Sequence, residues 1–280
     1  MIFEVEHTTR YDYSEPVKLE PLAVRLRPRA DRSQHVLSFE LNLDPAPAGL
    51  TEISDLDGND TALAWFTEGT TSLEISTRVR AETFRANPFD YIVLDPALIE
   101  LPMRYPAEES AALVRYMQPG GDPAVSELAR EVLQSAGGEA PLFLTQLSGR
   151  LAAEIEGEVR LQGQPLSPAE TLSRGRGSCR DAAVLFMDAC RSVGLAARFV
   201  SGYQEGDPEV DEKYLHAWAE VYLSRVGWRG FDPTLGLAVS DRHLAVAAGP
   251  TAASTLPSEG SYRGTALSAM KADLQVKVLP

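Results

Sequence analysis

The sequence predicts an α+β protein in which an all-β region is followed by a helical stretch and then by further strands. Three observations carry this. The first eighty or so residues are dominated by β-forming segments, in places with a period of two. The helix start and stop signals fall in roughly residues 122–193. Beyond residue 195 the apolar pattern returns to strands.

Met1 to Tyr13 is rich in β-formers and runs into a turn signal at Ser14-Glu15-Pro16. Val17 to Pro28 and Val36 to Leu43 read as further strands. In the latter, Leu37, Phe39, Leu41 and Leu43 alternate with Val36, Ser38, Glu40 and Asn42, the pattern of a half-buried strand. Asp57-Gly58-Asn59-Asp60 reads as a turn, and Thr61 to Phe66 and Thr71 to Glu82 as two more strands. Residues 1–83 are therefore expected to form an antiparallel, sandwich-like β-domain. Residues 84–106 carry several prolines and no period. Phe89, Tyr91, Ile92 and Leu94 make this segment too apolar for a free tether, so a packed linker is expected there, with the second domain occupying 107–280.

Asp122-Pro123 is a helix start, with the aspartate at the cap and proline at the first helical position; Gly137-Gly138 ends that helix. Pro141 to Ile155 forms a second amphipathic helix, and Ser167-Pro168 opens a short helical turn. Gly175-Arg176-Gly177-Ser178-Cys179-Arg180-Asp181 then leads into a helix over Ala182 to Val193. Ser178 is the natural cap, which puts Cys179 in the first turn. Unpaired backbone N–H groups and the positive end of the helix dipole favour a thiolate there and can stabilise an oxyanion beside it. Cysteine is also a common buried residue, so core packing is the competing reading. Cys190, among Leu185, Phe186, Met187 and Val193, reads as core. Eleven residues of helix separate the two sulfurs by about 16 Å, too far for a disulfide or a shared metal ion.

Tyr214 to Leu223 is a strand that places His216, Trp218, Glu220 and Tyr222 on one face and apolar residues on the other. A nucleophilic cysteine needs a base that is itself oriented by a third group, and histidine followed by Asp232 on the next strand supplies both. A structural histidine and a turn aspartate are the alternative. A four-residue turn would set Leu223 against Trp228 and Asp232 against Ala219, on the face away from His216. The triad therefore requires a bulge, for which Gly230 is a plausible place, or a shifted register. Trp218 either lines a substrate groove or belongs to the core. Arg180 and Asp181 either tune the site or form an exposed helix pair.

These motifs resemble the transglutaminase-like superfamily. Gly175 to Asp181 is similar to its G-x-G-x-C-x-D nucleophile segment, and Gly194 to Tyr203 to the strand that follows. His216-Ala217-Trp218-Ala219-Glu220-Val221 resembles its histidine strand, and Gly227-Trp228 with Phe231-Asp232-Pro233-Thr234 its aspartate segment. His7-Thr8-Thr9, Leu26-Arg27-Pro28-Arg29 and Asp57-Gly58-Asn59 resemble the N-terminal β-domain of bacterial members, often described as candidate cysteine proteases. The resemblance implies a papain-like core, with the cysteine helix packed on an antiparallel sheet and Cys179, His216 and Asp232 as catalytic triad. It implies an acyl-transfer enzyme acting on the amide bond of a peptide or protein, with water as the preferred acceptor. An amine-accepting transglutaminase is the alternative, as is a non-catalytic scaffold that keeps the fold. One departure stands out. After His243, many relatives carry a Gly-Arg-Asp-Tyr-type run, whereas this chain has Gly249-Pro250-Thr251-Ala252-Ala253-Ser254-Thr255-Leu256-Pro257.

Composition narrows the classes further. The chain has 280 residues, a formal charge of -14, and 44% hydrophobic residues. Such a surface repels nucleic acid and anionic membranes, and neither is an expected partner. No secretory signal, membrane span, metal-site spacing or calcium-loop signature is evident. A cytoplasmic location and the absence of cofactor and metal are the corresponding expectations.

Overall fold

A computed structural model describes residues 1–206 and 213–279. The N-terminal unit contains β1 (Ile2–Leu19), β2 (Leu22–Val24), β3 (Gln34–Asp44), β4 (Gly49–Ser54), β5 (Asp60–Trp65) and β6 (Gly69–Thr83). Helices follow as α1 (Ala107–Leu113), α2 (Pro123–Ser135) and α3 (Ala140–Glu154). Next come the short β7 (Glu156–Gly157), α4 (Pro168–Arg174), the short β8 (Arg176–Gly177) and α5 (Cys179–Ser192). The core sheet is built from β9 (Ala197–Gln204), β10 (His216–Leu223), β11 (Gly227–Asp232), β12 (Leu237–Ala238) and β13 (His243–Gly249). The chain finishes with β14 (Ser258–Glu259), β15 (Tyr262–Arg263) and β16 (Ser268–Leu279).

The N-terminal unit is a sandwich. One antiparallel sheet runs β15-β1-β6-β3, with β16 also paired to β1; the other runs β14-β2-β5-β4. Val17, Leu19, Val24, Leu26, Leu73 and Ile75 fill the space between them. The expected turn at Ser14-Glu15-Pro16 is instead an irregularity within one long strand: pairing of β1 with β6 shifts register between Asp12 and Val17. Proline cannot donate to the ladder, and the extra residues let β1 bend. Its first half turns Phe3 and Val5 onto Tyr203, Leu244 and Val246 of the core sheet, while its second half packs into the sandwich. One strand thus serves two cores.

The expected domain limits need one correction. Residues 258–279 do not stay with the second domain. β14 pairs with β2, β15 with the end of β1, and β16 with β1 along Ile2–Tyr13. The apolar face of β16 supplies Leu274, with Val276 and Val278, to the contact between the two units. The stretch expected as a packed linker, residues 84–106, is mixed in its burial. Tyr91, Ile99, Leu101, Met103 and Tyr105 pack on the core, but Ile92 and Leu94 are 79% and 77% exposed and Phe89 is 47% exposed.

The second unit packs helices against one face of the sheet ordered β12-β11-β10-β9-β13. α5 carries Ala183, Leu185, Phe186, Met187, Ala189 and Cys190 into a core shared with Ala217, Ala219, Val221 and Leu223 of β10. This is the apolar face expected of that strand. The helix starts behave as their sequences predict. Asp122 accepts from the Ala124 and Val125 N–H groups, and Ser167 from that of Glu170.

The outer edge of the core sheet, strand β13, is closed by side chains of the N-terminal unit. The Gln34 amide donates to Ala245 O (2.7 Å) and accepts from Ala245 N (2.8 Å). The Asn59 amide does the same for Ala248, at 2.8 Å both ways. Two side-chain amides thus replace a neighbouring strand on an edge that would otherwise carry unpaired donors and acceptors.

Candidate active site

α5 begins at Cys179, with Ser178 in extended conformation at the cap position. The cap is more elaborate than a serine alone. Asp181, in the first turn, accepts from Ser178 N (2.7 Å) and from its hydroxyl (2.8 Å) on one oxygen. Its other oxygen takes Arg160 Nη2 (2.5 Å) and Leu166 N (2.7 Å). Asp181 is fully buried, so it is not part of an exposed helix pair. Burial works against its ionisation, but Arg160 and the backbone and hydroxyl donors outweigh it and hold the carboxyl below its usual range. One carboxylate therefore fixes both the helix start and the loop at 158–166 beside the cysteine. Arg180 braces the same loop, donating to Gly163 O (2.8 Å) and Arg160 O (2.5 Å). The N–H groups of Cys179 and Arg180 precede the first intrahelical bonds, which run from Asp181 and Ala182 to Ser178 O.

His216 and Asp232 meet, and no bulge is involved. The hairpin turn is Ser224-Arg225-Val226, three residues, and Leu223 pairs with Gly227 rather than Trp228. Arg225 takes positive φ (60°), followed by Gly227 at 90°. Ala219 then faces Phe231, and the register carries Asp232 to the level of Trp218, on the His216 face. Gly230 stays regular, paired with Glu220; a Cβ there would lie 2.6 Å from Val239 Cβ.

His216 Nε2 stands 2.6 Å from Asp232 Oδ2, and Cys179 lines the same cleft and adds to the rise of the imidazole pKa. The His216 side chain is 16% exposed and that of Asp232 not at all. Burial pulls the imidazole pKa down. The charge and hydrogen bond of Asp232, joined by Cys179, overcome this and push it up to about 10. Asp232 shows the reverse balance: burial opposes its ionisation, and His216 and His243 more than offset that, so it stays a carboxylate.

His216, Asp232 and His243 bring one ligand-type atom each within 4.8 Å of one another. The contacts are hydrogen bonds. Both imidazole Nε2 atoms face the same oxygen, at 2.6 and 3.1 Å, and a carboxylate is acceptor-only. His243 was not singled out from sequence as a site residue, because it lies on a strand whose pairing partner, β9, is distant in the chain. Trp218 is 1% exposed and lies beneath the site, edge-on to His243 at 5.2 Å. Gly202 makes room for it, since a Cβ there would lie 2.5 Å from the indole and 2.3 Å from Leu244 O. The Trp218 side chain thus belongs to the packing and not to the groove wall. Cys190 is fully buried, and burial raises its pKa well above the ordinary value.

A cleft of about 690 Å³ opens over Cys179 and His216. Its walls come from both units. The N-terminal sandwich contributes Tyr11 and Met270, the braced loop contributes Arg160 and Leu161, and Thr255 and Leu256 close a third side. The last two belong to the stretch that departs from the family pattern, so that departure borders the cleft. His7 also lines it. Its Nδ1 is 3.1 Å from the Tyr203 hydroxyl, and burial, only partly offset by Asp273, lowers its pKa to about 4, leaving it neutral near pH 7.

Residues 115–233 match the transglutaminase-like superfamily, and residues 3–82 match the bacterial transglutaminase-like N-terminal region. The chain belongs to this superfamily, in the bacterial form that carries that N-terminal region, and has its cysteine-type catalytic fold. A "putative cysteine protease" of Cytophaga hutchinsonii superposes with a TM-score of 0.72 at 19% identity, over 100% of this chain and 92% of that one. An uncharacterized protein of Mycobacterium tuberculosis is 28% identical over 99% of this chain and 92% of its own length. Another, from Mycobacterium leprae, is 24% identical over 93% and 92%.

Proposed function

We propose that the protein is a thiol-dependent acyl-transfer enzyme acting on amide bonds of peptides or proteins, with Cys179, His216 and Asp232 as its triad and water as acceptor. The observation that carries this reading is Cys179, at a helix start, sharing one cleft with an imidazole that Asp232 holds at 2.6 Å. His216, with its pKa near 10, rests as the cation, and an imidazolium and a helix N-terminus both favour the thiolate form of a neighbouring cysteine. The thiolate attacks the amide carbonyl. The resulting oxyanion sits by the N–H groups of Cys179 and Arg180. His216 gives its proton to the departing amine, leaving a thioester on Cys179. His216, now neutral, takes a proton from water, which attacks the thioester and releases the acid and the thiolate. Asp232 keeps the imidazole oriented throughout.

The test is a peptide library incubated with and without a primary amine, followed by mass spectrometry. Free acid product that disappears in Cys179→Ala supports hydrolysis. Amide product formed only with added amine would move the assignment to a transglutaminase. No turnover, together with a thiol of ordinary reactivity, would leave a scaffold.

A further inference from the structure

The geometry points to His243 as a positioning residue for the candidate triad: it donates a second hydrogen bond to the Asp232 oxygen that His216 uses, and the N-terminal unit holds it there. This rests on the triad reading above. Asp232 is fully buried, and its carboxylate takes four donors. Oδ1 accepts from Thr234 N (2.9 Å) and Leu235 N (3.2 Å). Oδ2 accepts from His216 Nε2 (2.6 Å) and His243 Nε2 (3.1 Å). The two backbone bonds fix one oxygen and leave the carboxylate free to rock about it. A second, independent donor on Oδ2 removes that freedom and sets the lone pair that His216 uses.

The requirement on His243 is specific. Its Nε2 must carry a hydrogen, because the ionised carboxylate can only accept. Its Nδ1 has no hydrogen-bond partner among the described residues, and the ring is 4% exposed. A buried imidazole that leaves one nitrogen unsatisfied is costly, so the bond on the other nitrogen has to repay it. His243 is also held rigidly. Trp218 packs edge-on against its ring. Its strand, β13, is anchored by the Gln34 and Asn59 amides at Ala245 and Ala248, and Thr83 Oγ1 donates to Asp241 O (2.6 Å) two residues upstream. Besides lining the cleft, the N-terminal unit therefore acts on the triad by fixing the strand on which His243 sits.

The titratable groups that face this cluster are few. His216 and His243 act on Asp232, and Asp232 and Cys179 act on His216. Loss of the His243 donor leaves Oδ2 free to rock away from His216, and a carboxylate less well held is a weaker counter-charge for the imidazolium beside Cys179. The experiment is the rate of Cys179 alkylation by iodoacetamide against pH, for the parent, His243→Phe and His243→Gln, with His216→Ala as control. The acid limb is expected to move up by about one pH unit in His243→Phe, the size expected of one charge-assisted hydrogen bond. His243→Gln, which keeps an N–H donor, restores at least half of that shift. A purely packing role would lower the melting temperature and leave the limb where it is. Coincident limbs in parent and His243→Phe, or equal displacement in the Phe and Gln variants, overturn the proposal. A parent whose profile matches that of His216→Ala would instead sink the triad reading itself. Long-range ¹⁵N–¹H spectra of the parent give a check that needs no variant. His243 must carry hydrogen on Nε2, and a ring protonated on Nδ1 alone contradicts the clamp.

Discussion

The two cysteines of α5 have the same side chain on the same helix and opposite surroundings. Cys190 lies fully buried among Leu185, Phe186 and Leu195, where burial raises its pKa and nothing is arranged to use it. Cys179 sits at the helix start, partly exposed at a cleft, beside an imidazole with its own carboxylate. The reactivity of a thiol is set by what the fold puts around it. Here that is a cap, a sheet register and two units meeting.

The widest gap should appear in alkylation of the native protein. Peptide mapping after iodoacetamide at pH 7 is expected to find Cys179 modified about a thousandfold faster than Cys190, which reacts only through opening of the helix. Comparable rates would mean that the helix start confers nothing.

The structural supports of the two ends should differ as well. Asp181→Ala removes a buried carboxylate with four donors, the Arg160 guanidinium among them, and is expected to cost about 2–4 kcal/mol in urea denaturation. Cys190→Ala removes only a small apolar volume, at about 1 kcal/mol, and should leave Cys179 alkylation unchanged. A reversed order would show that the helix start is not what Asp181 holds.

The pH dependence of stability offers a finer contrast. The His216 pKa is raised on folding, from about 6.5 to about 10, so its contribution is fully present below pH 6.5 and is lost as pH rises through 10. The Asp232 pKa is depressed, so its contribution holds above the ordinary carboxylate range and disappears as pH falls. The stability difference between parent and His216→Ala should therefore shrink from pH 6 to pH 10. A difference that stays constant would show that the imidazole is not held as a cation.

Much of this site was legible locally. Asp122-Pro123, Ser167-Pro168 and the glycine-rich approach to Cys179 mark helix starts whose determinants lie within a few residues. The strand from His216 to Leu223 was readable from its alternation. What failed depends on distant partners. The two readings of Asp181, beside the site or on an exposed helix face, are decided only when Arg160, far back in a loop, is folded onto it. β16 pairs with β1 from the opposite end of the chain. His243 gains meaning only once β13 lies beside β9. The hairpin register depended on Arg225 accepting positive φ, which a non-glycine residue does not advertise. The exposed Ile92 and Leu94 show that apolar composition does not by itself demonstrate packing.

The most direct test of the thiolate–imidazolium pair is the pH–rate profile of Cys179 alkylation, measured by mass spectrometry in the parent and in His216→Ala. A parent rate at pH 6 about a hundredfold above that of the variant is the result expected of the pair. A parent rate that rises only near pH 8.5, as for a free thiol, and is the same in the variant would contradict it.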